Sequence, residues 1–182
     1  MRGRDKLLED VDDLPLLRRQ SIAAIAADLP VLVTLPPDNM ERAAALEGTG
    51  VETRTVTDAD KGMSGSLRES SIWAQELSAD GLLVLLPDLP DLTTPDILTV
   101  CRAFLEDPDT PCRATDSDGK AGHPVLLPAR LFDQLTQLTG DQGANAILRS
   151  EPIHAVPLPG QRATVDLDTP EAWAAWRAKR TP

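Results

Sequence analysis

Basic charge is scarce in this sequence. Eighteen lysines and arginines stand against 29 aspartates and glutamates, a net charge of −11. Nucleic acid and anionic membrane both select a basic face, so neither is expected as a partner. An anionic ligand is still compatible, because a few local bases and a divalent cation override a distant acidic surface. Cysteine is nearly as scarce. Cys101 and Cys112 alone are too few for a disulfide scaffold or a cysteine zinc site, and a reduced, cytoplasmic protein is the simplest reading. The two histidines, His123 and His154, have no cysteine beside them, which makes a histidine metal centre a weak reading. The longest apolar run, near Leu82, is far short of a membrane span. The N-terminus "MRGRDKLLEDVDD" is charged and lacks the apolar core of a signal peptide. Internal repeats and low-complexity linkers are missing too, which argues against a second domain.

What is present is an alternation. A chain of 182 residues with 41% hydrophobic content can bury roughly 70% of its unfolded surface in one core. Residues 15–29 read as a helix with Leu16, Leu17, Ile22, Ile25 and Leu29 on one face, followed by a strand over 30–37. A helix over 39–50 precedes an alternating strand over 51–56. Residues 64–80 read as a helix with Leu67, Ile72, Trp73 and Leu77 inward, and "GLLVLLP" as the next strand. In 93–107, Thr94 is placed as N-cap and Pro95 as the first helical residue. Strand "PCRATD", helix "PARLFDQLTQL", a short helix "DQGANAILRS", strand "HAVPLP" and a helix from Thr169 complete the order. Such alternation predicts an α/β fold: a mostly parallel sheet with helices on both faces. Ligands of these folds sit outside the carboxyl ends of the strands, where Asp88 falls.

Asp88 lies between Pro87 and Pro90 directly after the strand. It reads either as a turn aspartate or as a ligand for Mg²⁺, a hard cation that takes one or two carboxylates plus substrate phosphates. "ATVDLDTPEAW" supplies a partner: Asp166 and Asp168 alternate out of a short strand toward one side, and Thr169-Pro170 opens a helix. In "KGMSGSLRES", Gly62 and Gly65 permit close approach of a ligand to a helix N-terminus, and Ser64 and Ser66 offer hydroxyls. The alternative is that one of these serines merely caps the helix. Gly122, before His123-Pro124, looks like a close-approach backbone position, with His123 structural or lining a substrate pocket. Asp141, in "TGDQG", starts a helix with an acidic first turn. Arg2, Arg4 and Lys6 form a basic cluster that is either solvated or phosphate-binding.

Together "RDKLL", "PLLRR", "GMSGSL", "LLPDLP", "GHPVLLP", "TGDQGANAILR" and "DLDTPEAW" resemble, in order, the nucleotidyltransferase family that includes molybdenum cofactor cytidylyltransferase. The resemblance implies a Rossmann-like three-layer α/β/α fold and transfer of CMP from CTP, or GMP from GTP, to a molybdopterin-type cofactor with release of pyrophosphate. It implies Lys6 on the nucleotide phosphates and Asp88 and Asp168 on Mg²⁺. Arg4, Gly62, Ser64, Ser66, Gly122, His123 and Asp141 would bind nucleotide or substrate. Another phosphorylated acceptor, such as a sugar phosphate, is the alternative within enzymes. A non-catalytic protein that carries the cofactor to a molybdoenzyme recipient is the alternative outside them. The family begins with a strand and a glycine-rich loop of the "LAAGxSxR" type, and Met1 falls inside that motif. Residues 1–182 are therefore expected to be a single nucleotidyltransferase-like domain lacking that strand and loop. Either the natural polypeptide starts earlier or the chain has lost catalysis.

Overall fold

In the computed structural model, which describes residues 5–180, the predicted alternation is present. A two-stranded ribbon, β1 (Asp10–Val11) and β2 (Leu14–Pro15), leads into α1 (Leu16–Ile25), β3 (Leu32–Leu35), α2 (Met40–Leu46) and β4 (Glu52–Thr55). Then follow α3 (Ser64–Glu76), β5 (Gly81–Val84), α4 (Thr94–Glu106), β6 (Cys112–Thr115) and β7 (Ala121–Pro128). The chain closes with α5 (Phe132–Thr136), α6 (Asn145–Leu148), β8 (His154–Pro157) and α7 (Pro170–Arg180). No helix among the described residues is long and apolar enough to cross a membrane.

The mostly parallel sheet is not observed. β3 and β4 pair in parallel as a separate two-stranded sheet, and the larger sheet has the order β5-β7-β6-β8. In it β7 runs antiparallel to both β5 and β6, and only β6–β8 is parallel. The cause is local. Asp116 Oδ1 accepts from the backbone N–H groups of Asp118 and Lys120 at 3.0 and 2.9 Å, and Gly119 adopts φ 79°. This tight turn makes β6 and β7 a hairpin, whose strands must run antiparallel.

Helices cover both faces of the larger sheet. Along β7, Val125 and Leu127 pack on one side with Leu67, Ala74, Phe132 and Leu135, while Leu126 packs on the other with Ile97, Val100 and Phe104. The inward faces differ in part from those predicted. Ile22 (41% exposed), Leu29, Ile72 and Leu77 point outward. Polar or small residues take their places: Gln20, Ser21 and Ala24 in α1, Ser64, Ser71 and Ala74 in α3. Helical spacing alone does not reveal such replacements, because these side chains are buried with donors placed on backbone carbonyls; Ser71 Oγ donates to Phe132 O and Ser21 Oγ to Leu17 O, at 2.9 and 2.8 Å. The cap of α4 is Thr93, one residue before the predicted Thr94, in a capping box with Asp96.

Candidate functional site

The site begins where β5 stops. Its ladder ends at Val84, and Leu85–Leu92 continue without strand pairing through the acidic turn. Three side chains from elsewhere hold that turn. Gln20 Nε2 donates to Leu89 O at 2.9 Å, an Arg19 guanidinium N–H to Pro90 O at 2.5 Å, and Trp176 Nε1 to Asp91 Oδ2 at 3.0 Å. Asp88 is thereby fixed with one carboxylate oxygen, Oδ1, buried and without a hydrogen-bond partner among the described residues. The other oxygen accepts from Lys6 Nζ at 2.6 Å.

Lys6 starts a short 3₁₀ turn, Lys6–Leu8, capped by Asp5, whose carboxylate accepts from Leu7 N at 3.0 Å. The same carboxylate accepts from two N–H groups of the Arg42 guanidinium, Nε and Nη2, at 2.6 and 3.0 Å. This pair spans thirty-seven residues of chain and leaves no pattern in the sequence, so neither Asp5 nor Arg42 was foreseen. Lys6 Nζ also donates to Asp168 Oδ1. Burial by itself would lower the Lys6 pKa, but the hydrogen bonds to Asp168 and Asp88 outweigh it and hold the ammonium above the ordinary lysine range. The same Lys6 hydrogen bond, with its charge, pulls Asp168 below the ordinary carboxylate range.

Residues 165–168 form no strand, contrary to expectation, yet the burial still alternates: Asp166 exposed, Leu167 buried, Asp168 exposed. Both aspartates therefore face one way. The segment is held from behind by α7. Trp173 Nε1 donates to Leu167 O at 2.9 Å, and Trp173 and Trp176 are buried with Val11, Leu16 and Leu167. Thr169 Oγ1 accepts from Ala172 N at 3.1 Å at the helix start. One oxygen each from Asp88, Asp166 and Asp168 lies within 4.8 Å of the others. Asp166 is the addition; its alternation with Asp168 was visible, but only Asp168 was assigned a ligand role. Three carboxylates, one with a buried oxygen lacking a donor, are an all-oxygen set suited to a hard divalent cation such as Mg²⁺ or Mn²⁺.

The other predicted residues fall around this centre. Gly122 is a close-approach position, and what approaches is the chain itself: a Cβ there would lie 1.9 Å from Ala163 O. His123 N donates to Ala163 O at 2.9 Å, tying β7 to the segment that carries Asp166 and Asp168. His123 is largely buried, which pushes its pKa down, and its Nδ1 lies 3.3 Å from Val84 O. Nearby, Arg113 donates to Gly122 O at 3.1 Å and to Asn145 Oδ1 at 2.8 Å. The two glycine-containing loops meet. Gly62 has φ 115°, and a Cβ on it would stand 2.4 Å from Asp141 Oδ1. Ser64 is buried and accepts from Arg68 at 3.3 Å, Ser66 is half-buried, and neither caps α3, whose N-cap is Met63. Arg4 lies outside the described residues.

The fold is thus mixed α/β, with a lysine and three carboxylates gathered where β5 ends. The chain belongs to the MobA-like NTP transferase domain family, whose model matches residues 1–156. Among curated proteins none matches. Solved structures do. A nucleotidyl transferase from Methanothermobacter thermautotroptrophicus superposes with a TM-score of 0.77 at 18% identity, covering 96% of this chain and 84% of that one. Rv0371c of Mycobacterium tuberculosis H37Rv, in complex with manganese, gives 0.73 at 24% identity, covering 95% and 92%. CMP:2-keto-3-deoxy-manno-octonic acid synthetase complexed with CTP gives 0.71 at 14% identity, covering 96% and 91%.

Proposed function

We propose that this chain is a Mg²⁺-dependent cytidylyltransferase that moves CMP from CTP onto a molybdopterin-type cofactor. The observation that carries the reading is the meeting of Lys6, Asp88 and Asp168 from three distant parts of the chain, with Asp166 completing the carboxylate set. A phosphate oxygen of the acceptor attacks the α-phosphorus of CTP. The bond from that phosphorus to the bridging oxygen breaks, and pyrophosphate leaves. No side chain forms a covalent bond. The protein supplies alignment and charge.

Asp88, Asp166 and Asp168 would hold a divalent cation, which would supply charge neutralisation on the triphosphate and its leaving group. The chain's own residues do the rest. Lys6 is the counter-ion of Asp88 and Asp168, and with those carboxylates engaged elsewhere its ammonium would be free to bind the nucleotide phosphates. The Asp5–Arg42 pair keeps the Lys6 turn in place, and the turn-holding bonds from Gln20, Arg19 and Trp176 keep Asp88 in register with it. His123 and the loops at Gly62 and Asp141 are assigned to the acceptor side of the pocket. Arg4 is assigned to the nucleotide. A cytoplasmic location and delivery of the product to a molybdoenzyme accompany this reading.

Transfer to a different acceptor is a second reading, favoured by the likeness to a CTP-complexed synthetase of a CMP-linked sugar acid. Calorimetric titration of CTP, with GTP beside it, in the presence and absence of Mg²⁺ tests the nucleotide assignment. Selective, Mg²⁺-dependent CTP binding is expected. Pyrophosphate release measured with a molybdopterin-type acceptor and with sugar phosphates then separates the acceptors. Equal binding of both nucleotides without Mg²⁺ would sink the reading.

A further inference from the structure

Arg113 is a half-buried cation of an unusual kind for this protein. Arg42, Arg68 and Arg162, also half-buried, each pair with a carboxylate: Asp5, Asp58 and Asp96. Arg113 pairs with no carboxylate among the described residues. It donates instead to two neutral oxygens, from Nε to Gly122 O at 3.1 Å and from Nη1 to Asn145 Oδ1 at 2.8 Å. The N–H groups of Nη2 make no hydrogen bond among the described residues. The plane of the guanidinium is therefore fixed while one end and the whole charge stay uncompensated.

Strand alternation decides where it points. Cys112 and Ala114 pack into the core on the α4 side, so Arg113 between them lies on the opposite face of β6. Its ladder partner is Val125, which packs with Leu67 of α3, Phe132 of α5 and Ile147 of α6. Both anchors lead to the carboxylate centre. Gly122 lies against Ala163 O, just ahead of the segment that carries Asp166 and Asp168. Asn145 lines one cavity with Met63, Ser66, His123, Leu86 and Pro87, the last of which precedes Asp88. Burial sets the low pKa of His123, and the charges of Arg113 and Asp88 both reach it, in opposite senses. Withdrawing a cation from water without a counter-charge is unfavourable. An aspartate at position 145 would supply that charge and would suit a helix start; the asparagine keeps the anchor and leaves the charge unmet.

We propose that Arg113 holds the anionic group of the acceptor, a phosphomonoester, beside the nucleotide centre. The assignment rests on the nucleotidyl-transfer reading above and deepens it, because it names the residue that selects a phosphorylated acceptor. The Nη2 N–H groups donate to phosphate oxygens and the charge offsets the dianion, while another oxygen of the same phosphate stays free to attack the α-phosphorus. Arg113 keeps its protons and forms no covalent bond. An acceptor without the phosphate leaves the guanidinium as uncompensated as it stands now.

The test titrates inorganic phosphate, and separately acetate, into the 182-residue chain, followed by NMR through the Gly122 amide and the Arg113 Nε–H. Calorimetry of CTP with Mg²⁺ runs beside it. Asn145→Asp preserves the anchor's shape and strengthens its bond to Arg113, so a purely structural role predicts a melting midpoint held or raised and an unchanged phosphate affinity. The expected result is the same midpoint behaviour with phosphate affinity reduced at least about tenfold, and a similar reduction in Arg113→Ala. CTP affinity is expected to change by no more than about twofold in either variant, as for groups that share no partner. Unchanged phosphate affinity in Asn145→Asp overturns the proposal. So does a loss of CTP affinity that matches the loss for phosphate, which would give Arg113 to the nucleotide, and so does acetate binding as tight as phosphate, which would make the acceptor group a carboxylate. Selective CTP binding beside a phosphate response indifferent to these variants removes the Arg113 assignment alone. Phosphate binding through Arg113 without any CTP binding removes the transferase reading and leaves the anion site standing.

Discussion

Asp88 combines two conditions that seldom coexist: a carboxylate oxygen buried without a donor, and a lysine on the other oxygen. An unpaired buried acceptor is costly, and a cation at the cluster would remove that cost. Asp88→Asn keeps the shape and an acceptor for Lys6 but removes one charge from the carboxylate set. Its Mn²⁺ affinity, measured by calorimetry or electron paramagnetic resonance, is expected to fall by more than the roughly 100-fold that accompanies loss of an outer partner, with the fold intact. Undiminished affinity would disprove the ligand assignment. The ionisations give a second expectation. Asp168 has a folded pKa below its unfolded value because of Lys6. For Asp5, burial raises the pKa, but Arg42 and the Leu7 N–H outweigh it and bring it below. Each contributes stability that is full above the unfolded carboxylate pKa of 3.8 and is lost as pH falls through the folded value. The folded Lys6 pKa is raised, so its contribution is full below the unfolded 10.5 and lost as pH climbs through the folded value. In thermal melts these three groups should therefore contribute losses below pH 3.8 and above 10.5, while the lowered pKa of His123 adds a loss that begins as pH falls below 6.5 and the raised Cys112 thiol one that begins as pH rises above 9.0. The acid limb should shrink in Asp5→Asn, and a limb of the same size there would refute the Arg42 assignment.

At the scale of elements, two clamps align carboxylates that are eighty residues apart. One is α7. Trp176 is 8% exposed and donates to Asp91 beside the acidic turn. Trp176→Ala should cost about 3–5 kcal/mol, read as a lowered denaturation midpoint, and should weaken Mn²⁺ binding although Trp176 touches no carboxylate of the cluster. Trp176→Phe restores most of the packing but not the hydrogen bond, so metal affinity should recover only in part. The other clamp is β7. Gly122→Ala forces a Cβ against Ala163 O and should cost about 1–3 kcal/mol by overpacking, while shifting the segment that bears Asp166 and Asp168. An unchanged midpoint would mean that this backbone contact yields freely. Elements themselves were largely legible in the chain: strand-length apolar runs, the Thr-Pro start of α4 and the Thr169-Pro170 start of α7 all mark real boundaries. What escaped was pairing. The turn Asp116–Gly119 carries its hairpin signal in plain view, yet strand–helix alternation elsewhere favours a parallel reading, and only the hydrogen-bond register reveals the antiparallel β7.

Across the whole molecule the acidic balance of −11 opposes the approach of a nucleotide triphosphate, while Lys6 acts only at short range. Salt screens the first far more than the second. Association of CTP in the presence of Mg²⁺ should therefore quicken as ionic strength rises from about 10 to 150 mM, followed by stopped-flow measurement. A monotonic slowing would show that attraction at the site dominates the field. The sequence by itself determined the α/β class of the fold and the residue types gathered at Lys6, Asp88 and Asp168, because apolar periodicity and short motifs are local properties. Only the tertiary structure decided that Asp166 joins Asp88 in one cluster, that Lys6 bridges Asp88 and Asp168, and that Asp5 and Arg42 hold the lysine turn. Those are relations between residues tens to more than a hundred positions apart, fixed by which surfaces bury one another and by which backbone edges find partners, and no local pattern records them.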